Sequence, residues 1–338
     1  MKKRNLVCKI FCLFLAVMIG LAGFAGCADR RPPSGGADDF EEEEDKDGMI
    51  EILKDNKFEK GFGAMGLTSA EGYIVKRVLD LGGGDNYDWL LAQWATRHSF
   101  EQEMEVEKDG DWVSFKNVAK EVKVLPGQGR IQLNARASQE YEVPRQSGSE
   151  PWVHLLIEQV FKGEQRVPFS EMEELVVELQ FSVKKCENMM TEAEYNPGLH
   201  AAQIAWFITV ENPESDEITP EGRPDYMWFG LSIFDNRSDG MEDGHAPDFG
   251  TKKLIYSIGK EKTLGEPVEL GKTYTIKYDI LPEVKKAFEM AQGYGFLQGA
   301  EFDKMEIGSM NLGWELPGIF DVSFEIDKIS IAYKPLQG

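Results

Sequence analysis

Three side chains that can do chemistry recur at even positions of residues 151–161: the indole of Trp152, the imidazole of His154 and the carboxyl of Glu158. Alternate side chains of an extended strand point to opposite faces, so these three are expected to share one face. An indole can stack on a flat ligand surface, and an imidazole or a carboxyl can bind polar groups or move protons. The other parity carries core-type side chains: Val153, Leu155, Ile157 and Phe161.

A second alternating pattern occupies residues 200–237, in which two apolar, aromatic runs flank a polar loop containing prolines. In the second run, Tyr226, Trp228 and Ser232 fall on one face. The opposite face is fully apolar, with Met227, Phe229, Leu231 and Ile233. Two paired strands with large apolar groups on both faces belong in the interior of a sheet, because at an edge they would be exposed to water. One face is then expected to enter the core and the other to line a binding surface.

Residues 131–141 alternate in the same way and place Arg136 opposite a small apolar face. Large aromatic side chains beside charged and amide groups are what a sugar-binding surface needs, because sugar rings stack on aromatic rings and their hydroxyls pair with donors and acceptors. A second hydrophobic layer or a solvated face is the alternative. The predicted ligand-binding set comprises the stacking residues Trp152, Tyr226 and Trp228 and the polar selectors Arg136, His154 and Glu158.

Glycan cleavage on the same surface is an alternative function. Hydrolysis of a glycoside requires two carboxyl groups about 5–9 Å apart. Glu140, Glu158 and Glu315 are candidates, but no two of them lie two or four residues apart on one strand, so the spacing establishes no pair. The catalytic residues stay unassigned, with His154, Glu158 and Tyr226 as acid or base candidates for a glycoside hydrolase or polysaccharide lyase. The sequence favours a non-catalytic protein.

No metal or cofactor site is predicted. The four histidines and Cys186 show no paired ligand spacing for zinc. The acidic loop 235–248 begins like a calcium loop but carries Arg237 at the third position and Ala246 at the twelfth, where an EF-hand places oxygen ligands. Calcium bound there in another geometry is the one cation that the sequence leaves open.

Many strand-like runs separated by Gly, Pro, Asn and Asp clusters must position these residues. One helix is predicted over residues 282–292, and a hairpin is predicted across Pro317 and Gly318. This pattern predicts an all-β fold, a two-sheet jelly-roll-like β-sandwich with one or two short helices. The last strands, over residues 311–326, resemble the closing strands of concanavalin-A-like and carbohydrate-binding jelly rolls. The resemblance is architectural and covers residues 110–333.

The N-terminus has the layout of an export signal, with basic residues at 2–4 and an apolar run over residues 10–25. The run ends Phe-Ala-Gly-Cys27, which resembles the lipobox of bacterial lipoproteins and implies lipidation of Cys27. An ordinary cleaved signal peptide or an uncleaved anchor helix is the alternative. The predicted organisation is a leader (1–26), an acidic flexible tether (27–50) and a β-sandwich domain (51–338).

The formal net charge of −22 disfavours nucleic acid, whose phosphates require basic partners. It is compatible with neutral sugars, cations or basic surfaces. The sequence therefore predicts a membrane-anchored extracytoplasmic protein on the bacterial surface that binds a poly- or oligosaccharide in an aromatic-lined groove. The two alternatives are a glycan-degrading enzyme on the same sandwich and a non-catalytic surface interaction lipoprotein.

Overall fold

The computed structural model describes residues 48–66, 74–218, 223–248 and 251–337. The predicted leader, Cys27 and nearly all of the predicted tether lie outside the described residues. Within them, the chain forms two large β-sheets that face each other across a hydrophobic core, which confirms the predicted all-β sandwich.

The elements are numbered in chain order. The strands are β1 (Ile50–Glu51), β2 (Gly61–Met65), β3 (Val75–Asp80), β4 (Trp89–Ala92), β5 (Glu105–Asp109), β6 (Trp112–Lys116), β7 (Lys120–Leu125), β8 (Arg130–Arg136), β9 (Val153–Val160), β10 (Met172–Asn188), β11 (Gln203–Glu211), β12 (Tyr226–Asp235), β13 (Gly244–Pro247), β14 (Leu254–Ile258), β15 (Thr273–Asp279), β16 (Glu306–Leu316) and β17 (Phe320–Pro335). The helices are α1 (Ala137–Glu140), α2 (Lys260–Thr263) and α3 (Leu281–Gly293).

The first sheet has the strand order β15-β10-β17-β8-β7-β6-β5, with β1 paired to β17. The second sheet has the order β13-β14-β12-β11-β16-β9-β4-β2-β3. In the second sheet β2 pairs with β4 and β12 pairs with β14 in parallel, whereas the pairs between β9, β16, β11 and β12 are antiparallel. These four strands form the middle of the sheet, as expected for strands that are apolar on both faces.

Strand parity is confirmed where it was predicted. The odd-numbered side chains from Val153 to Ile157 on β9 and from Met227 to Ile233 on β12 are buried between the sheets, and on β8 the odd-numbered side chains of residues 131–137 are buried in the same core. The inner residues of β11 and β16 complete the layer with two fully buried indoles, Trp206 and Trp314. Burial of apolar area contributes about 25 cal/mol per Å², so this shared layer is the main source of stability. It also fixes which side of each strand faces outward.

The predicted helix is confirmed as α3, with Pro282 in its first turn. Its buried side chains recur at helical spacing, namely Val284, Ala287, Phe288 and Ala291. The helices α1 and α2 are single turns. In the described ranges no helix combines the length and the apolar composition needed to cross a membrane.

The predicted hairpin across Pro317 and Gly318 is wrong. β16 belongs to the second sheet and β17 to the first, so the turn carries the chain from one sheet to the other. The alternation of the two strands could not reveal this, because a strand that packs inward from either sheet shows the same period of two. β17 instead pairs with β8 and β10.

A buried ion pair closes one end of the sandwich. The Lys120 Nζ atom lies 3.2 Å from Glu140 Oε1, and both side chains are 1% exposed. Glu140 also accepts hydrogen bonds from the Thr96 hydroxyl and from the Arg97 backbone N–H. Glu140, one of the carboxyl candidates from the sequence, is therefore a structural group.

Replacing Glu140 with Ala should lower the free energy of unfolding by about 3–5 kcal/mol, because the Lys120 ammonium would stay buried without its partner. Glu142 is the matched control: its side chain is 78% exposed in a surface pair with Arg97, and Glu142→Ala should stay within about 0.5 kcal/mol of wild type. Urea unfolding of the three proteins measures both changes. Equal effects of the two substitutions would contradict a structural role for the buried pair.

Candidate functional site

The outward face of the second sheet brings four polar side chains into one row. In the strand register Glu315 on β16 is opposite His154 on β9 and Gln203 on β11, and Gln203 is opposite Asp235 on β12. Side chains directly opposite each other on neighbouring antiparallel strands have Cβ atoms about 4.5–5.5 Å apart. The row is therefore continuous across four central strands.

A β-bulge in β12 places Asp235 in this row. Ala205 pairs with Ser232 but Ile204 pairs with Phe234, so Ile233 is the extra residue. The bulge turns Phe234 toward the core, where its ring meets Trp314 edge to face at 6.1 Å, and it turns Asp235 outward. Simple alternation puts Phe234 on the outer face instead, and the structure corrects that expectation.

The next rows of the same face form a floor and a wall. Gly313, Ala205 and Ser232 lie opposite one another and leave a low floor beside the polar row. Beyond the floor, the Phe207 ring lies across Gly230, where a Cβ atom would come within 2.7 Å of the ring. We call the pocket on this face the outer cleft. It is lined by Gln203, Ala205, Phe207, Ser232, Asp235 and Glu315, and we include Trp228, whose ring contacts Phe207 at its edge.

Glu315 is the titratable group of the outer cleft. Burial raises the pKa of Glu315 to about 7, a hydrogen bond from the Trp152 indole N–H (3.3 Å) acts in the opposite direction, and the charge of Asp248 adds to the increase. A carboxyl with this pKa is protonated in a large fraction of molecules at neutral pH. It can donate a hydrogen bond or a proton, which an ordinary surface carboxylate cannot do.

Gln203 and Asp235 are held by hydrogen bonds. The Gln203 amide donates to Asp235 Oδ2 at 2.8 Å, and Arg237 donates to the same carboxylate from its backbone N–H and its guanidinium. Lys260 lines the same pocket. Burial lowers the pKa of Lys260 to about 8, and the negative charges of Asp235 and Asp239 act in the opposite direction. A positive charge thus lies beside the acidic end of the row.

Trp152 and His154 lie next to the outer cleft and contact each other. Their rings stack at 5.7 Å, and the Arg145 guanidinium carbon lies 4.9 Å from the centroid of the Trp152 ring. Trp152 is 5% exposed, so it positions Glu315 rather than offering a free stacking face. Burial lowers the pKa of His154 to about 4, and its Nδ1 donates to the Trp152 carbonyl at 2.8 Å, which leaves a neutral imidazole.

Glu158 and Tyr226 share this face but are buried. Arg223 covers Glu158 with a guanidinium nitrogen 3.5 Å from its carboxylate, and the same guanidinium lies 3.6 Å from Glu211. Burial raises the pKa of Glu158 to about 8. Tyr226 packs its ring edge to face against Trp228 at 5.5 Å and is 3% exposed. Both residues support the sheet face without lining the outer cleft.

Of the predicted stacking residues, Trp228 is the one that lines the outer cleft. The prediction that Arg136 belongs to this binding set is wrong. β8 is part of the first sheet, so Arg136 projects from the opposite side of the sandwich. Asp235 was not predicted as a ligand-binding residue, and Glu315 was considered only as a carboxyl without a partner. No signal in a single strand could have joined them, because their proximity comes from the register between strands.

Among the residues that the structure describes, no group of three or more His, Cys, Asp or Glu side chains could hold a metal ion. In the acidic loop, the Asp243 carboxylate instead accepts hydrogen bonds from the Lys262 and Lys286 ammonium groups and from the Gly259 backbone N–H. Burial alone would raise the pKa of Asp243, but these hydrogen bonds lower it to about 2. The described part of the loop therefore uses its central carboxylate in ion pairs.

No protein-family model and no curated protein matches the chain. Among solved structures, the chain is similar to endoglucanase cel12A from Rhodothermus marinus, with 9% identity, a TM-score of 0.37 and coverage of 69% of this chain and 97% of that chain. It is also similar to a family 12 xyloglucanase from Bacillus licheniformis, with 10% identity, a TM-score of 0.38 and coverage of 68% and 96%. A third is the xyloglucanase domain of NopAA from Sinorhizobium fredii in complex with cellobiose, with 14% identity, a TM-score of 0.31 and coverage of 68% and 96%. Scores this low establish no common family, and the architecture rests on the strand pairing.

The raised pKa of Glu315 predicts a pH-dependent stability difference. The folded state binds this proton more tightly than the unfolded chain, so the stabilisation is present below pH 4.5 and is lost as the pH rises to about 7. Glu315→Gln removes the titration but keeps an acceptor for the Trp152 indole. The variant should match the wild-type pH trend below 4.5 and become more stable relative to wild type above pH 7, by at most about 3 kcal/mol.

Urea unfolding at pH 4.5, 6 and 8 measures this difference, and Glu142→Gln serves as an exposed control with no such trend. Glu158 titrates in both proteins, so its contribution cancels in the comparison. A wild-type minus Glu315→Gln difference that is the same at all three pH values would show that the carboxyl has an ordinary pKa.

Proposed function

We propose that the outer cleft binds a neutral poly- or oligosaccharide. The observation that carries the proposal is the single face on which half-buried aromatic rings lie beside a continuous row of hydrogen-bonding groups. Trp228 and Phe207 meet edge to face at 6.0 Å and form the aromatic wall. A sugar ring has an apolar face that can pack on such a wall, and it has hydroxyls at its rim that can reach the row.

The row supplies both donors and acceptors. The protonated form of Glu315 can donate, Gln203 can donate and accept, and the Ser232 hydroxyl can do either. The Trp228 indole N–H is buried and has no hydrogen-bond partner among the described residues. Because this N–H is buried, the Trp228 ring rather than its N–H is the part offered to a ligand.

The charge of the protein supports a neutral rather than an acidic glycan. The formal net charge is −22, and Asp235 and Glu315 both lie in the outer cleft. A polymer of uronates would bring its own negative charges toward this surface, and like charges reduce both the affinity and the association rate. Lys260 and Arg237 offset part of the local charge.

We also propose that the protein acts outside the cytoplasm and is attached to the bacterial membrane through a lipid on Cys27. The support is the sequence alone: basic residues, an apolar run and a small-residue ending that precedes Cys27. The acidic run at residues 38–45 would act as a spacer, because like charges repel and extend the chain. A tethered sandwich of this kind would present the outer cleft to extracellular glycans.

Trp228→Ala should weaken glycan binding by at least about 10-fold, which corresponds to about 1.4 kcal/mol, because it removes the aromatic wall. Trp228→Phe should keep part of the affinity. Isothermal titration calorimetry with soluble cellohexaose, xyloglucan and xylan measures the loss, and alginate serves as the acidic glycan, which should not bind.

Trp112→Ala is the matched control, because Trp112 lies on β6 of the first sheet, where its ring contacts Lys123 and Arg130. This variant should bind like wild type. Full binding by Trp228→Ala, or an equal loss in the Trp112 variant, would place the ligand elsewhere. Tight binding of alginate together with no binding of the neutral glycans would reverse the proposed ligand class.

Cys27→Ala should release the protein from the membrane, because it removes the proposed site of acylation. In a bacterial host fed a labelled fatty acid, the wild-type protein should carry the label and sediment with membranes. The variant should carry no label and lose the covalent anchor. A labelled variant, or wild-type protein without label, would refute the lipid attachment.

A further inference from the structure

The outer cleft contains one carboxyl that is suited to proton donation and lacks a second at the corresponding distance. Glycoside hydrolysis with retention requires two carboxyl groups about 5–5.5 Å apart, one as acid and one as nucleophile. Glu315 has the buried environment and the raised pKa that a catalytic acid needs. Its direct neighbour across the strand pair is Gln203, whose Cβ is expected about 4.5–5.5 Å from that of Glu315. The position that a nucleophile would occupy therefore carries an amide.

Asp235 is the next carboxyl along the row and is fully engaged. It lies two strands from β16, about 9.5 Å by the spacing of strands, which is the outer limit for an inverting pair. Oδ1 accepts from the Arg237 backbone N–H and Nε, and Oδ2 accepts from Gln203 and from Arg237 Nη2. A carboxylate has about four acceptor sites, so none remains to activate a water molecule.

The other carboxyls on this side are also out of position. Glu158 and Glu211 are buried under Arg223 at the far end of the face. Glu242 is exposed and lines the same pocket as Glu315, but its backbone lies against Gly259, just after the end of β14, which is three strands from β16. Three strand spacings are about 14 Å, beyond the range of either hydrolytic pair.

We propose that the outer cleft holds a glycan without cleaving it because Gln203 stands where a second carboxyl would complete a hydrolytic pair, and that Gln203→Glu alone confers retaining hydrolysis. The inference rests on the proposed function, since the glycan must first bind. It makes Gln203 the residue that separates a binding protein from an enzyme on this sandwich.

The gained reaction has two steps. In the first, the introduced carboxylate at position 203 attacks the anomeric carbon, the glycosidic C–O bond breaks, and Glu315 gives its proton to the leaving oxygen. In the second, a water molecule attacks the same carbon while Glu315 takes one of its protons, and the carboxylate at position 203 leaves. The products are two shorter sugars, and the anomeric configuration is retained.

The surroundings offset part of the new charge, although a carboxylate at position 203 loses the hydrogen bond to Asp235 Oδ2 and repels that carboxylate. Asp235 shares its charge with Arg237, whose guanidinium nitrogens lie 2.8 Å and 3.0 Å from its oxygens. Glu315 is largely protonated at pH 6, below its pKa of about 7. At that pH the variant would contain one ionised and one protonated carboxyl side by side, which is the state that the first step requires.

The test compares wild type, Glu315→Gln, Gln203→Glu, the double variant Gln203→Glu/Glu315→Gln and the exposed control Gln128→Glu at pH 6. Binding of cellohexaose and xyloglucan is measured first by calorimetry, and new reducing ends are then followed over time. We expect product from Gln203→Glu at a rate at least about 100-fold above wild type and the control, and loss of that gain in the double variant. Proton NMR of freshly released ends should show the retained configuration.

Each outcome separates the two proposals. Binding by Gln203→Glu without new reducing ends overturns the inference and leaves the binding function intact. Cleavage by the wild-type protein that Glu315→Gln abolishes also overturns it, because a second carboxyl would then already be present. Absence of binding by wild type to every glycan tested removes the proposed function and the inference with it.

A second variant covers the case in which Gln203→Glu does not fold. Gln203→Ala opens the position to a small external nucleophile, and sodium azide with an aryl β-glycoside is the probe. Azide would attack the anomeric carbon while Glu315 protonates the leaving aryl oxygen, and the product would be a glycosyl azide of inverted configuration. Azide-dependent release of the phenol from a folded variant supports the inference, and its absence overturns it.

Discussion

Two sheets that share one core impose the constraint on which the candidate site depends. In every central strand of the second sheet, alternate side chains must point into the core, where the indoles of Trp206 and Trp314 are fully buried. Once the inner parity is set, the register between strands alone decides which outward side chains meet. The row from His154 through Glu315 and Gln203 to Asp235 is thus a consequence of packing on the other side of the sheet.

Burial then divides the outer face into two chemical environments. At one end Arg223 covers Glu158 and Glu211, so their carboxylates serve the fold. At the other end Glu315 is half-buried and partly protonated. Burial destabilises its ionised form more than the hydrogen bond from the Trp152 indole stabilises it. Burial raises the pKa of both Glu158 and Glu315. Glu315 is the more accessible of the two, so its proton is available to a ligand.

Much of the fold followed from the sequence because alternation is a local property. The inward parity of β8, β9 and β12 and the helix α3 all follow from spacing within single segments. The assignment of β16 and β17 to different sheets did not, since a strand looks the same whichever sheet it joins. The bulge at Ile233 could not be predicted from the sequence either, because it depends on how β12 pairs with β11.

The site was predictable only in part, for the same reason. Trp228 was predicted correctly as an outward aromatic residue, but Trp152, although on the right face, is covered by Arg145 and His154. Arg136 showed the right alternation but lies in the other sheet. Gln203 and Asp235 come together with Glu315 through pairing between strands that are distant in sequence. The alternation along a strand predicts which face a side chain occupies, but its neighbours on that face depend on the pairing between strands.

The central claim is that a glycan occupies the outer cleft, and the indole N–H signals of the seven tryptophans test it most directly. In a ¹⁵N NMR titration with cellohexaose, the Trp228 signal, assigned with Trp228→Phe, should shift and saturate because a bound sugar ring packs against its indole. The Trp152 signal should follow through its hydrogen bond to Glu315, and the Trp112 signal on the opposite sheet should stay in place. A saturable shift at Trp112 with Trp228 unmoved would contradict the account.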